Sequence, residues 1–419
     1  MAVGRGRTEN KLHLSGFATY LMNHKLLMFK RCITSIALIS IAGPLGAVYA
    51  PIPEEELGKA LVVKLGAGIF HDSNIFGAPD NEQDSMVYRL APSISYNASL
   101  TDQTFLSASY DVNMDYVEDR PDNTTLWTHV FSARLAHSFN PDSILDITEK
   151  FSIIESPESL LPGLPLNTDQ SYNHNQFDAS YTNKLGERFG YELKARSQIF
   201  AYKVDSLATQ LDRDELLLGL SVNHDVSEIT TVLGEYRFQD VAYADAGQFK
   251  DKQSNFFLGG IDYAPTEVFS LSLRGGLEQR NRSGAPDDTA PRAEFTARYE
   301  YGERSYLAAG YISAIEEISN VQQYTDIQVH RFFVNLQHAL SAQTTGSLFY
   351  NVEPSELLGR PGVSPDGDEV TQRLGAALTW QPRRGWMVSG SIDVDVTDSD
   401  DPFRDLDRTR IGVDVRYSF

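Results

Sequence analysis

The final twelve residues of the chain, Arg408 to Phe419, alternate in character without interruption. Phe419, Tyr417, Val415, Val413, Ile411 and Thr409 fall on one side of an extended segment. Ser418, Arg416, Asp414, Gly412, Arg410 and Arg408 fall on the other. Successive side chains of a strand point to opposite faces, so the pattern predicts a strand with one apolar and one charged face. Taken alone, such a strand also fits the edge of a soluble sheet. Repetition along the chain decides between these readings.

The alternation recurs from Leu61 onward, and no segment carries a helical period. Val63, Leu65, Ala67 and Ile69 share a face of the first predicted strand. Tyr88, Leu90, Pro92, Ile94 and Tyr96 oppose Arg89, Ser93 and Ser95 in the next. Phe189, Tyr191, Leu193 and Ala195 oppose Glu192, Lys194 and Arg196, and Phe269, Leu271, Leu273 and Leu277 oppose Ser270, Ser272 and Arg274. The alternation slips midway through Tyr306–Ile318 and Ile327–Leu340, which predicts a bulge or a misplaced strand there. His129 and His137 fall on the apolar side with no evident reason.

Short turns are predicted at Thr101-Asp102, Asn140–Asp142, Leu185–Glu187, Asp225–Ser227, Ala264–Thr266, Tyr301–Glu303, Ser341–Gln343 and Pro382–Gly385. Longer polar connections lie between them, among them Asp72–Asp84, Glu155–Gln170, Asp205–Leu211, Ala244–Phe249, Asn281–Thr289, Ser319–Gln323 and Glu353–Asp368. Alternating short and long connections predict an all-β fold, a transmembrane antiparallel up-and-down β-barrel of 18 strands, with 16 as the rival count. The apolar face then meets outer-membrane lipid and lipopolysaccharide, and the charged face meets a watery lumen.

The front of the chain differs. Residues 1–21 read as a mis-called extension before Met22, and 22–50 as a secretory signal peptide. A basic stretch from Lys25 to Arg31 precedes the apolar run Cys32–Ala50, and small residues end it. Residues 51–60 are then a short periplasmic lead-in, and 61–419 the barrel. Cys32 is the single cysteine of the 419 residues, so the mature chain can hold neither a disulfide nor a thiolate metal site.

Charge narrows the function further. Lys and Arg number 36 against 57 Asp and Glu, a net charge of −21, which argues against a nucleic-acid partner. Sequence patterns for a serine nucleophile, a phosphate loop or a zinc site are missing, so no enzyme, cofactor or metal is expected. The chemistry falls to the inward face. Its expected basic positions are Arg89, Arg134, Lys194, Arg196, Arg237, Arg274, Arg298, Arg373, Arg410 and Arg416. Its acidic positions are Asp111, Glu192, Glu235, Glu294, Asp393 and Asp414. Such charges set selectivity in a pore, or merely pair across strands and keep the wall wet; both readings stand.

The connection Glu155–Asn167 is too apolar for a solvated loop. Leu160, Leu161, Leu164 and Leu166 are expected either to fold into the lumen and constrict it or to pack on the rim. The acidic runs Asp80–Asp84 and Asp398–Asp401 read as solvated loop charge or as sites for cations bridging lipopolysaccharide.

The stretch Gly66–Phe76, leading through an acidic loop to Val87–Tyr96, resembles the opening of the β-barrel porin type 2 family. Asp72, Asn74, Ile75, Phe76, Pro92 and Tyr96 carry the likeness, with Ser73 standing where that family has an acidic residue. The resemblance implies an outer-membrane channel tied to exopolysaccharide export, with a periplasmic polysaccharide-export protein as a partner. The ending Phe419, Tyr417, Val415 likewise resembles the insertion signal read by the barrel-assembly machinery. A general or sugar-uptake porin and a loop-plugged structural or adhesive barrel are the alternatives.

Overall fold

The computed structural model describes residues 59–155, 171–283, 285–318 and 323–419. The signal segment with Cys32 and the four leucines of the expected constricting loop lie outside these residues.

Eighteen strands follow one another along the chain. The first six are β1 (Leu61–Asp72), β2 (Ser85–Thr101), β3 (Thr104–Val117), β4 (Thr125–Asn140), β5 (Ser143–Ile154) and β6 (Tyr172–Leu185). Then come β7 (Phe189–Tyr202), β8 (Arg213–Ser227), β9 (Thr230–Tyr243), β10 (Lys252–Thr266), β11 (Phe269–Arg282) and β12 (Ala285–Gly302). The last are β13 (Ser305–Glu317), β14 (Tyr324–Ala339), β15 (Thr344–Gly359), β16 (Gly367–Trp380), β17 (Trp386–Ser399) and β18 (Leu406–Ser418). Each pairs antiparallel with the next, and β18 returns to β1 from Lys64↔Ser418 to Asp72↔Arg410. The sheet is closed, so the count is 18 and not 16.

The alternation sets which way each side chain points. Leu65, Leu193, Leu273, Leu277, Ile411 and Val413 are exposed on the outer face of the cylinder, 44–54% each. Their neighbours in sequence point inward and find polar partners.

Several boundaries move from the sequence expectation. The turns predicted at Asp225–Ser227 and Ala264–Thr266 lie two or three residues later, because β8 and β10 extend through them. The connections predicted over Asn281–Thr289 and Glu353–Asp368 are largely strand: β12 starts at Ala285 and β15 runs to Gly359. Polar and proline-containing sequence there reads as loop, yet the ladders continue beyond the lipid layer. The connection Asp205–Leu211 is a seven-residue helix, α1, and Asp245–Lys250 is a 3-10 turn. Both are too short to show a period. Tertiary burial of Leu207 and Leu211 stabilises α1.

Candidate functional site: the lumen and its constriction

Aromatic side chains band the outer face at both ends. Toward the short turns, Trp386 packs on Tyr417 at 5.0 Å and Phe419 meets the same ring edge-on at 4.7 Å. At the same end, on β12, Tyr299 and Tyr301 lie 5.9 Å apart. Toward the long loops, Tyr88 and Tyr116 pair at 6.2 Å. The outward histidines belong to these bands. His129 stacks between Trp127 and Tyr110 and is hydrogen-bonded to the Tyr110 hydroxyl at 2.8 Å. His137 meets Phe139 edge-on, and His224 and His338 stack on Phe189 and Tyr301. An amphipathic ring is at home where headgroups meet acyl chains. That explains the two histidines whose position made no sense in the strand pattern.

A closed cylinder of antiparallel strands, apolar outside between two aromatic girdles and charged inside, has one natural solvent. This is a bacterial outer-membrane barrel. Short turns mark its periplasmic end and long loops its outer mouth. No family model and no curated protein matches the chain. Solved structures similar to it include three proteins of Pseudomonas aeruginosa. OpdQ is 10% identical, with TM-score 0.49 over 86% of this chain and 97% of that one. OpdK, solved with vanillate, is 11% identical, with TM-score 0.49 over 86% and 99%. OccK2, solved with glucuronate, is 11% identical, with TM-score 0.49 over 86% and 96%. At these values the likeness is one of outline.

The barrel's inner wall has two unlike halves. On β1–β7 and β16–β18 the charges pair yet keep access to water, apart from the buried pairs Arg408–Asp72 and Arg404–Glu369. Arg89 makes a two-pronged bond to Asp115 at 2.6 Å, Arg134 holds Asp146, and Arg196 meets Asp178. Lys194 lies 3.0 Å from Glu192. Asp111 accepts from Ser93 at 2.6 Å, and Asp395 is shared by Arg410 at 2.6 Å and Arg373 at 3.8 Å. Asp393 sits opposite Arg410 in the ladder. Asp414 and Arg89 flank Gly68 from its two neighbouring strands. Arg416 reaches the Met387 sulfur at 3.6 Å. The Arg373 side chain is half exposed.

On β8–β14 the inner face is covered. Arg237 pairs with Glu235 at 2.7 Å and Glu294 at 3.5 Å, and Arg274 with Asp262 at 2.9 Å; both arginine side chains are under 10% exposed. Arg298, nearer the periplasmic end, meets Glu300 at 2.9 Å and stays wetter.

The cover is the outer end of the β13–β14 hairpin. β13 pairs with β12 only as far as Ala293↔Ser313, while it pairs with β14 up to Glu317↔Asp326. Beyond Ser313 β13 parts from β12, and the hairpin, still laddered through β14 to β15 as far as Tyr324↔Gly359, bends across the inner face of β9–β11. Ile312, Ala314, Ile315 and Val329 join Phe256 and Leu258 of β10 in one buried apolar cluster. Polar contacts complete the seat. Lys252 pairs with Glu317, and Tyr243 donates its hydroxyl proton to Glu317 Oε2 at 2.6 Å. Lys250 donates to the Ile318 carbonyl at 2.6 Å, and Arg282 meets Asp326 at 2.5 Å. Burial holds the Lys250 amine down at about 8, against the pull of Glu317. This fold-in explains the slip that the sequence shows in β13 and β14: the outward phase of Ile315, Glu317 and Asp326 now faces the opposite inner wall. Two apolar residues at inward positions of β10, Phe256 and Leu258, were the missed signal.

Three further connections roof the mouth. α1 buries Leu207 and Leu211 against Ile154, Tyr172 and Tyr202. The 3-10 turn abuts α1 so closely that a Cβ at Gly247 would lie 2.5 Å from the Gln210 carbonyl oxygen. The Arg360 guanidinium, in the β15–β16 connection, covers the Phe249 ring at 4.1 Å. The motif behind the family resemblance is structural here. Asp72 accepts from Arg408, Asn74 donates to the Asp407 and Ala78 carbonyls, and Ile75 packs with Val87, Val117 and Leu126. Pro92 and Tyr96 lie on the lipid face of β2.

Proposed function

We propose that the barrel is a narrow diffusion channel for small hydrophilic solutes, working in uptake. One observation carries the reading: the half-hidden, paired charges of β1–β7 and β16–β18 face the folded-in hairpin of β13–β14. An 18-stranded barrel is too wide for its wall side chains to fill. The hairpin occupies one side of that width, so the water path runs along the other side. A bore so narrowed passes monomeric solutes better than a hydrated polymer, which favours uptake over the exopolysaccharide export implied by the sequence resemblance. Opposed Arg and Asp side chains along the open side keep the path polar without a strong preference for either sign of charge.

Planar-bilayer recording joined to liposome swelling with sugars of increasing size tests this. Discrete conductance with a cut-off near small oligosaccharides supports the reading. A barrel that carries no current is the plugged alternative. A barrel that passes long polysaccharide, with loss of surface polysaccharide when the gene is deleted, restores export.

A further inference from the structure

We propose that the outer ends of β13 and β14 form a gate, docked in the lumen here, which returns to the barrel wall along the free edge of β12. The inference rests on the channel reading above.

The first observation is the edge itself. β12 continues beside β11 to Arg282↔Ala285, but no described strand pairs its other side above Ala293. An unpaired strand edge leaves donors and acceptors open and invites a partner. Pro291 stands in this stretch, opposite Leu277 of β11. The β11 ladder runs past Pro291, so its nitrogen, with no hydrogen to donate, faces the vacated side. Asp287 and Asp288 follow on the same stretch. Proline and charge discourage a foreign strand from pairing there, and a returning β13 would lack one ladder bond at Pro291 as well.

The second observation is register. Continuing from Ala293↔Ser313, the ladder sets Arg292 opposite Ala314, Pro291 opposite Ile315 and Ala290 opposite Glu316. Side chains in such pairs share a face. Ile315 then rejoins Tyr311 and Leu307 on the lipid side, and Glu316 stays with the lumen. Up to Ile315 the apolar-out pattern of β13 thus fits the wall as well as the seat, and Glu317 follows on the outward face.

The third is the latch. Glu317 is held by Lys252, Lys250 and Tyr243, and Asp326 by Arg282 and Arg280. Buried ion pairs return little beyond what their desolvation costs. The apolar cluster favours the docked form, and the ready edge offers the hairpin a second packing, which together are the two states a gate needs.

Three forms of the full-length barrel in planar bilayers test the gate. Glu317→Gln with Asp326→Asn unlatches the hairpin, and the time spent in a wider state should rise roughly tenfold or more. Lys252→Cys with Glu317→Cys, bridged by a reversible thiol cross-linker, should lock the narrow state until reductant is added. Ala290→Cys with Glu316→Cys should form a disulfide, read as a gel shift, and hold the wide state. Ala290 and Glu316 are not laddered while the hairpin is docked, where Glu316 meets Arg331 at 3.2 Å, so that disulfide reports movement even in a barrel that carries no current. A conducting barrel indifferent to all three changes overturns the gate and leaves the channel reading standing. Failure of the Ala290–Glu316 disulfide to form overturns it as well. No current in any form, with that disulfide formed, overturns the channel reading and keeps the moving hairpin.

Discussion

Arg408 and Asp72, 336 residues apart in the chain, meet across the seam where the last strand closes on the first. Arg408 Nε lies 2.9 and 3.2 Å from the two carboxylate oxygens, and its Nη2 donates to Asp72 as well. Asp72 is wholly buried and Arg408 nearly so. Arg408→Met strands a buried carboxylate and should cost about 3–5 kcal/mol. Arg408→Lys should recover only part of this, because an ammonium cannot match the two-pronged geometry. The temperature at which the folded band is lost on unheated-sample gels measures both.

The inward and outward assignments can be tested at neighbouring residues. Leu273 is 44% exposed in the middle of the outer face, whereas Ser272 points to the lumen. Leu273→Arg should destabilise the barrel by roughly 2–4 kcal/mol in lipid, and Tyr299→Arg, in the periplasmic girdle, by about 1 or less. Ser272→Arg should be tolerated. Denaturant unfolding into vesicles gives all three values, and equal costs at Leu273 and Ser272 would refute the assigned phase.

Two glycines should behave in opposite ways. A Cβ on Gly276 would fall 1.9 Å from the Phe257 carbonyl oxygen, a backbone atom that cannot step aside. Gly276→Ala should cost about 1–3 kcal/mol through overpacking. At Gly234 nothing lies within 4 Å, so Gly234→Ala should change stability by about 0.5 kcal/mol at most.

The amine of Lys250 supplies a pH dependence with a definite sign. Buried under the docked hairpin it titrates at about 8, and released into water it returns to roughly 10.5. Between those values the released form binds more protons, so rising pH favours the docked form. Below pH 8 both forms are protonated and this group contributes no slope. Wide-state openings should therefore become rarer from pH 8 to 10. Lys250→Met should abolish that trend, and openings that grow commoner across the window in the wild type would contradict it.

Selectivity should depend on which half of the lumen is altered. Arg373 is half exposed and only loosely held by Asp395. Arg373→Glu should move the reversal potential toward cations. Arg237→Gln, buried beside Glu235 and Glu294, should lower stability more than it changes selectivity.

The sequence by itself determined the strands, their faces and the barrel. A period of two, repeated eighteen times between alternating short and long connections, admits few other folds, because each strand's neighbours are the strands next to it in sequence. The strand face of each charged position from Arg89 to Arg416 was legible for the same reason, but not which of them lines a water path. Tertiary structure alone decided what fills the lumen. Whether a hairpin end stays in the wall or folds inside depends on contacts between residues far apart in sequence, such as Phe256 with Ile315 and Lys252 with Glu317, and no local period encodes them. The same holds for Asp72, Asn74 and Ile75, which read as a family signature and act as the clasp of the seam.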